Sequence, residues 1–168
     1  MQKIRIFAWV CACIFLLNGC QARQLEEREF AQAMELEWNG EMLFGGFGRF
    51  CVQGQSVDEI REMYQEHIEK YLDLGHVKVL IVGKRLMNNR VVLERVLREM
   101  EEMPVFARNI LVLSYEYETE HSVLQKMEEK GIVPGEYISN LYKNNPRRKS
   151  TVTLGELIST IFDIQRNV

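Results

Sequence analysis

The hydrophobic positions fall into runs of two kinds. Val77, Val79, Leu80, Ile81 and Val82 are nearly continuous, bounded by Gly75 and Gly83, the pattern of a central strand covered on both faces rather than one that alternates between core and solvent. Upstream, Val57, Ile60, Met63, Tyr64, Ile68, Tyr71 and Leu72 recur at helical spacing behind Ser56 and Glu59, which form a capping box. Downstream, Val91, Val92, Val96, Leu97 and Met100 predict a second helix from Asn89, stopped by Pro104. The apolar run Asn109 to Tyr115 predicts the next strand, so the strands at Val77 and Ile110 are expected to lie parallel, joined by a right-handed helical crossover.

Before this unit, Phe30 to Trp38 and Met42 to Val52 read as two strands of a hairpin around Asn39-Gly40. After it come three helices. Thr119 to Lys130 carries Val123, Leu124 and Met127 inward and stops at Gly131; Glu136 to Tyr142 is short and halted by Asn144-Asn145-Pro146. Thr153 and Glu156 open the last, where Leu154, Leu157, Ile158, Ile161 and Phe162 make a wide stripe that is expected to close the core. The expected fold is α/β (α+β), a mixed sheet of about four strands, hairpin plus βαβ unit, packed with helices.

Composition agrees with one compact domain. The 168 residues are 46% hydrophobic and 27% charged, with a formal charge of -3, which excludes a disordered chain and gives nucleic acid no basic surface. Asn144 to Ser150 holds the one compact basic cluster, Arg147, Arg148 and Lys149, too few charges for a polybasic patch and read as a solvated loop.

The N-terminus has a character of its own. Lys3 and Arg5 precede an uncharged apolar segment from Ile6 to Leu17, closed by Leu17-Asn18-Gly19-Cys20. The segment is short for a bilayer span and has no A-x-A-like site. It resembles a bacterial lipoprotein signal, which implies cleavage between Gly19 and Cys20 and diacylation of Cys20. On that reading residues 1–19 are a signal peptide, 20–28 a tether and 29–168 one domain. Each buried acyl methylene contributes about 0.8 kcal/mol, and two or more chains hold a protein on a membrane stably. Of 21 basic and 24 acidic side chains, residues 1–19 carry two basic and none acidic, leaving the remainder at a formal -5. The folded part is therefore expected to stay off anionic lipid.

The cysteines fit the same scheme. Cys11 and Cys13 fall in the signal and Cys20 becomes a thioether, which leaves Cys51 without a disulfide partner. Between Phe50 and Val52 it reads as a small hydrophobe in a strand. Phe44 to Phe50 is glycine-rich, but Cys51 stands where G-x-G-x-x-G needs its third glycine, so strand glycines with a bulge are expected rather than a phosphate loop.

Three stretches carry a family resemblance. Tyr71 to Gly83, with Leu74-Gly75-His76-Val77-Lys78-Val79 at its centre, resembles a segment of the Ger(x)C family, the lipoprotein C subunits of spore germinant receptors. Leu25 to Phe30 is similar to that family's entry into its first strand, and Thr151-Val152-Thr153-Leu154-Gly155-Glu156-Leu157 to its last helix start. The resemblance covers the family's N-terminal domain only, relatives continuing into a second domain. It departs at Glu35-Leu36-Glu37, where the family usually has a glycine and an aspartate.

The resemblance implies a non-enzymatic, lipid-anchored membrane protein working in nutrient-triggered germination with A- and B-type membrane subunits, at the inner spore membrane or the outer face of the cell membrane. No cofactor, metal or catalytic residue is implied. His76 and Lys78 are expected to be structural, since general acid-base work needs a partner group that the neighbouring sequence does not offer; His67 is expected at a surface or boundary. The alternatives are a stand-alone surface lipoprotein binding a small ligand or acting as a hydrolase, and a truncated family member without a receptor role.

Overall fold

The computed structural model describes residues 25–116, 122–145 and 152–166. Leu25–Glu27 is a single 3-10 turn. The strands are β1 Arg28–Phe30, β2 Ala33–Trp38, β3 Leu43–Gly46, β4 Cys51–Gly54, β5 Tyr71–Asp73, β6 Val79–Gly83, β7 Leu111–Tyr115 and β8 Val152–Thr153. The helices are α1 Val57–Glu66, α2 Lys84–Asn88, α3 Arg90–Glu102, α4 Val123–Glu129, α5 Pro134–Lys143 and α6 Leu154–Arg166.

Six strands form one mixed sheet in the order β4-β3-β2-β6-β7-β8. β6 lies at its centre, parallel to β2 on one side and β7 on the other. All five residues of β6 are buried. Its alternate side chains divide the interior: Leu80 and Val82 join Met34, Leu36 and Val112 on one face, while Val79 and Ile81 join Ala33 on the other. The first face packs Ile60 and Tyr64 of α1, Leu93 and Leu97 of α3, and Leu154 and Ile158 of α6. The second is covered by Leu124 of α4 and Ile138 of α5.

The βαβ unit, the central strand and the core role of the last helix stand as expected. Thr153 and Glu156 close their capping box, Thr153 N–H donating to Glu156 Oε2 at 2.8 Å and Glu156 N–H to Thr153 Oγ1 at 3.3 Å. The sheet is wider than the four strands expected, for two reasons. Met42 to Val52 is not one strand but two, because the chain reverses through Phe47 to Phe50, where Gly48 takes φ +140° and Gly46 packs against the Phe50 carbonyl too closely for a side chain. The glycines serve a turn, not a bulge. Two further residues, Val152 and Thr153, pair antiparallel with Val112 and Leu111 as an edge.

The first helix also ends sooner than its stripe predicts. It stops at Glu66, capped by His67, and Tyr71 and Leu72 are strand, pairing in parallel with Arg28 and Glu29. Gln65 fixes the change: its Oε1 accepts from Leu72 N–H at 2.8 Å and its Nε2 donates to the Lys70 carbonyl at 2.9 Å, as a neighbouring strand would. A pairing partner distant in sequence has outweighed local helical periodicity. The resulting two-stranded ribbon, β1 with β5, continues the β2 and β6 pair at their amino ends; Lys78 N–H donates to the Gln32 carbonyl at the join.

The Asn39-Gly40 turn is present. Asn39 Oδ1 accepts from Glu41 and Met42 N–H, both at 2.9 Å, and Gly40 alone takes the left-handed φ, at +115°.

Candidate functional site

Glu35 and Glu37, two residues apart on β2, point to the same face of the sheet and are buried at 0% and 7% exposure. Each serves a helix that follows another strand. Glu35 accepts from the Ser122 hydroxyl and from Val123 N–H at 2.9 Å, which places its carboxyl at the start of α4. Glu37 Oε1 accepts from Leu86 N–H at 2.9 Å, in the first turn of α2, and from Trp38 N–H at 2.8 Å. The N-cap of α2 is Gly83, which has no side chain to offer. Glu99 repeats the device from α3, accepting from Val57 and Asp58 N–H at 3.0 and 2.8 Å at the head of α1. A helix N-terminus holds orphan N–H donors and partial positive charge, so a carboxylate there satisfies both.

The stretch in which the chain departs from the family resemblance is thus a polar seam holding helices to the sheet. A buried glutamate is costly unless hydrogen-bonded, and apart from the Trp38 N–H the partners of Glu35 and Glu37 lie far away in sequence.

Cys51 belongs to that seam. Its Sγ donates to Glu35 Oε1 at 3.2 Å. Burial first, then the Glu35 charge and hydrogen bond, raise the thiol far above its ordinary value of 9.0, the opposite of what a nucleophile needs. The expectation of an inert residue holds, but as a hydrogen-bond donor rather than a plain hydrophobe.

His76, expected to lack a partner group in the neighbouring sequence, has one: its Nδ1 lies 3.8 Å from Asp73 Oδ1, and its ring meets Phe30 edge-on with centroids 4.7 Å apart. The carboxylate three residues earlier is its partner, and Asp73 also pairs with Arg28 at 2.9 Å. Partial burial works to raise Asp73, but the Gly75 N–H, Arg28 and His76 outweigh it and the carboxyl sits below its ordinary value. His67 is exposed at the end of α1, its Nδ1 2.7 Å from the Met63 carbonyl oxygen and its ring 5.9 Å from that of Phe50.

A third cluster joins the β3–β4 turn to α4. Arg49 pairs with Glu29 at 3.4 Å, and the Glu128 carboxyl occupies the space beside Gly48. Burial raises Glu128, Arg49 opposes it and Glu29 adds to it.

Among the described residues β8 pairs with Leu111 and Val112, at the start of β7, and Leu113 to Tyr115 follow. Beside them opens a cleft of about 600 Å³ lined by Ile81, Leu113, Val123, Ile138, Tyr142 and Leu157 among others. Its chemistry is apolar. Among the described residues no group of three His, Cys, Asp or Glu side chains is placed to hold a metal ion, and no helix is long and apolar enough to cross a membrane. Gly19, Cys20, the apolar segment before them and Pro146 to Ser150 lie outside the described residues.

Mixed sheet, helices on both faces and a polar seam at the helix ends define a three-layer α/β domain with an apolar cleft beside β7. More particularly, residues 47–168 match the spore germination protein N-terminal domain, and the chain belongs to that family. The matched region begins in the turn between β3 and β4 and takes in all that follows, including the Leu74 to Gly83 and Thr151 to Leu157 segments. Leu25 to Phe30 and the two glutamates of β2 precede it. No curated protein and no solved structure matches the chain. Membership of the family ties the protein to spore germination.

Proposed function

We propose that this protein is the lipoprotein subunit of a nutrient germinant receptor: a non-enzymatic domain, held at the membrane through acylated Cys20, that works by contact with A- and B-type membrane subunits. The observation that carries the proposal is the family match over residues 47–168 in a chain whose Cys20 ends an apolar segment in lipobox fashion. The polar groups of the interior are consistent with it, because Glu35, Glu37 and Cys51 are engaged with one another or with helix N–H groups.

The test is recovery of the tagged protein from membranes of sporulating cells, together with metabolic labelling by palmitate. Co-purification of both polytopic subunits, with label lost in Cys20→Ala, is the expected result. A labelled protein that brings neither subunit overturns the receptor role. A Cys20→Ala protein still wholly in the membrane fraction overturns the anchor. The apolar cleft beside β7 favours a second reading, a stand-alone surface lipoprotein that binds a small apolar ligand.

A further inference from the structure

The β1–β5 ribbon has two unlike faces. Glu29 and Leu72 face inward, Leu72 buried in the core. Arg28, Phe30, Tyr71 and Asp73 share the outward face, because side chains alternate along each strand and the register sets Arg28 opposite Tyr71 and Phe30 opposite Asp73. On that face Phe30 and Tyr71 are 36% and 43% exposed. The charges between them are closed on each other: Arg28 and Asp73 pair at 2.9 Å, with Asp73 also accepting from Gly75 N–H at 3.0 Å. Gln65 occupies the outer edge of β5, so the ribbon offers side chains here rather than an open ladder for another strand.

Its position is as particular as its face. The ribbon sits at the amino ends of β2 and β6, and β1 is the first of the described strands, with Cys20 eight residues before Arg28. Eight residues reach about 30 Å at full extension. The far ends of the parallel strands, with Gly83, Tyr115 and the start of α3, form the opposite pole.

We propose that the outward face of this ribbon rests on the bilayer surface, Phe30 and Tyr71 entering the headgroup region beside the lipid anchor. The proposal rests on the anchor reading above. Its occupant is a lipid surface because a tether this short keeps that pole at the membrane, and because aromatic rings beside internally neutralised charge suit the interface between hydrocarbon and water. Glu26 and Glu27 stand nearby at the chain entry and are exposed, so the contact draws on aromatic burial and not on anionic headgroups. Contact at this pole would turn the apolar cleft's strand ends and α3 away from the bilayer.

The experiment places a single tryptophan in the acylated protein cleaved before Cys20, which has lost Trp9 with the signal peptide, in a Trp38→Phe background on phosphatidylcholine vesicles. Phe30→Trp and Tyr71→Trp report the ribbon, and Val91→Trp, 78% exposed at the start of α3, reports the opposite pole. The expected result is blue-shifted emission and quenching by brominated phosphatidylcholine at positions 30 and 71 but not 91, no stronger when anionic phosphatidylglycerol is added. Protein that floats with vesicles yet shows no quenching at 30 and 71, or equal quenching at 91, overturns the ribbon contact and leaves the anchor standing. Acylated protein that fails to float overturns the anchor, and the ribbon contact with it. Quenching that appears only with anionic lipid also overturns the proposal, since it would mark a basic contact. Should Phe30→Trp disturb folding by circular dichroism, Tyr71→Trp decides alone.

Discussion

The Glu37 carboxyl stands directly over Gly83, in the space that a Cβ at residue 83 would fill, and from there reaches the Leu86 N–H in the first turn of α2. The glycine that leaves α2 without a capping side chain is the same one that admits a cap from the neighbouring strand.

Gly83→Ala is therefore expected to push the carboxyl off the helix end and to cost about 1–3 kcal/mol, the scale of an overpacked core or of an unmade buried hydrogen bond. Urea unfolding followed by circular dichroism measures it. Loss below about 0.5 kcal/mol, the usual range of a surface change, would show that Glu37 can move without consequence.

Glu35 joins three donors from two distant parts of the chain, Cys51 on β4 and Ser122 with Val123 at the head of α4. Glu35→Ala should destabilise the fold by about 1.5–3 kcal/mol or more. Glu35→Gln, which keeps one acceptor oxygen, should cost less. Equal losses in the two variants would mean that side-chain volume matters there and the acceptor does not.

The Cys51 thiol should resist alkylation at pH 8 in the native protein and react readily in denaturant. Its raised pKa also fixes a sign. The folded state keeps the proton where the unfolded thiol, near its ordinary 9.0, gives it up. The stability contribution is thus complete below that pH and falls as pH rises above it, by about 1.4 kcal/mol per unit. Denaturation midpoints between pH 8 and 10 should fall less steeply in Cys51→Ala than in the parent chain; identical slopes would disprove the linkage.

Ser56 and Glu99 serve the same helix start, Ser56 Oγ accepting from Glu59 N–H at 3.0 Å and Glu99 from the two N–H groups before it. Ser56→Ala and Glu99→Ala should each cost about 1 kcal/mol. Because they satisfy different N–H groups of one helix end, the double variant should depart from the sum of the two. Strict additivity would show that they act independently.

The surroundings of Glu128 disfavour its charged form, burial being the first cause. Its raised pKa means that the folded state favours the protonated form. Stability from this group is present below the unfolded carboxyl's ordinary 4.5 and falls as pH rises through the folded value. Glu128→Gln should then stabilise the chain at pH 7 more than at pH 4; a gain confined to pH 4 would reverse the sign argued here.

Periodicity was enough for the parts of the fold whose instructions are local. The run Val77 to Val82 could bury both faces in only one kind of strand, and Ser56, Asn89 and Thr153 each cap their own helix from the adjacent residue. Gly40 marked its turn because few other residues take that φ. These signals lie within a few residues of what they control, so the sequence displays them.

What required the folded chain is whatever depends on residues far apart. The helical stripe over 57–72 gave way after Glu66 because Arg28 to Phe30 supplied a strand partner and Gln65 covered the other edge. In the sequence Glu35 and Glu37 marked only a departure from the family, and Asp73 lay unremarked within the Tyr71 to Gly83 segment; their partners lay 49 to 88 residues away in Leu86 and Val123 for the glutamates, and in Arg28 for Asp73. The membership of the family was legible at Leu74 to Gly83 and Thr151 to Leu157, within the matched region. The polar seam and the aromatic face of the ribbon were not, because hydrogen bonds and exposure are properties of neighbours in space, and the tertiary fold alone decides which residues become neighbours.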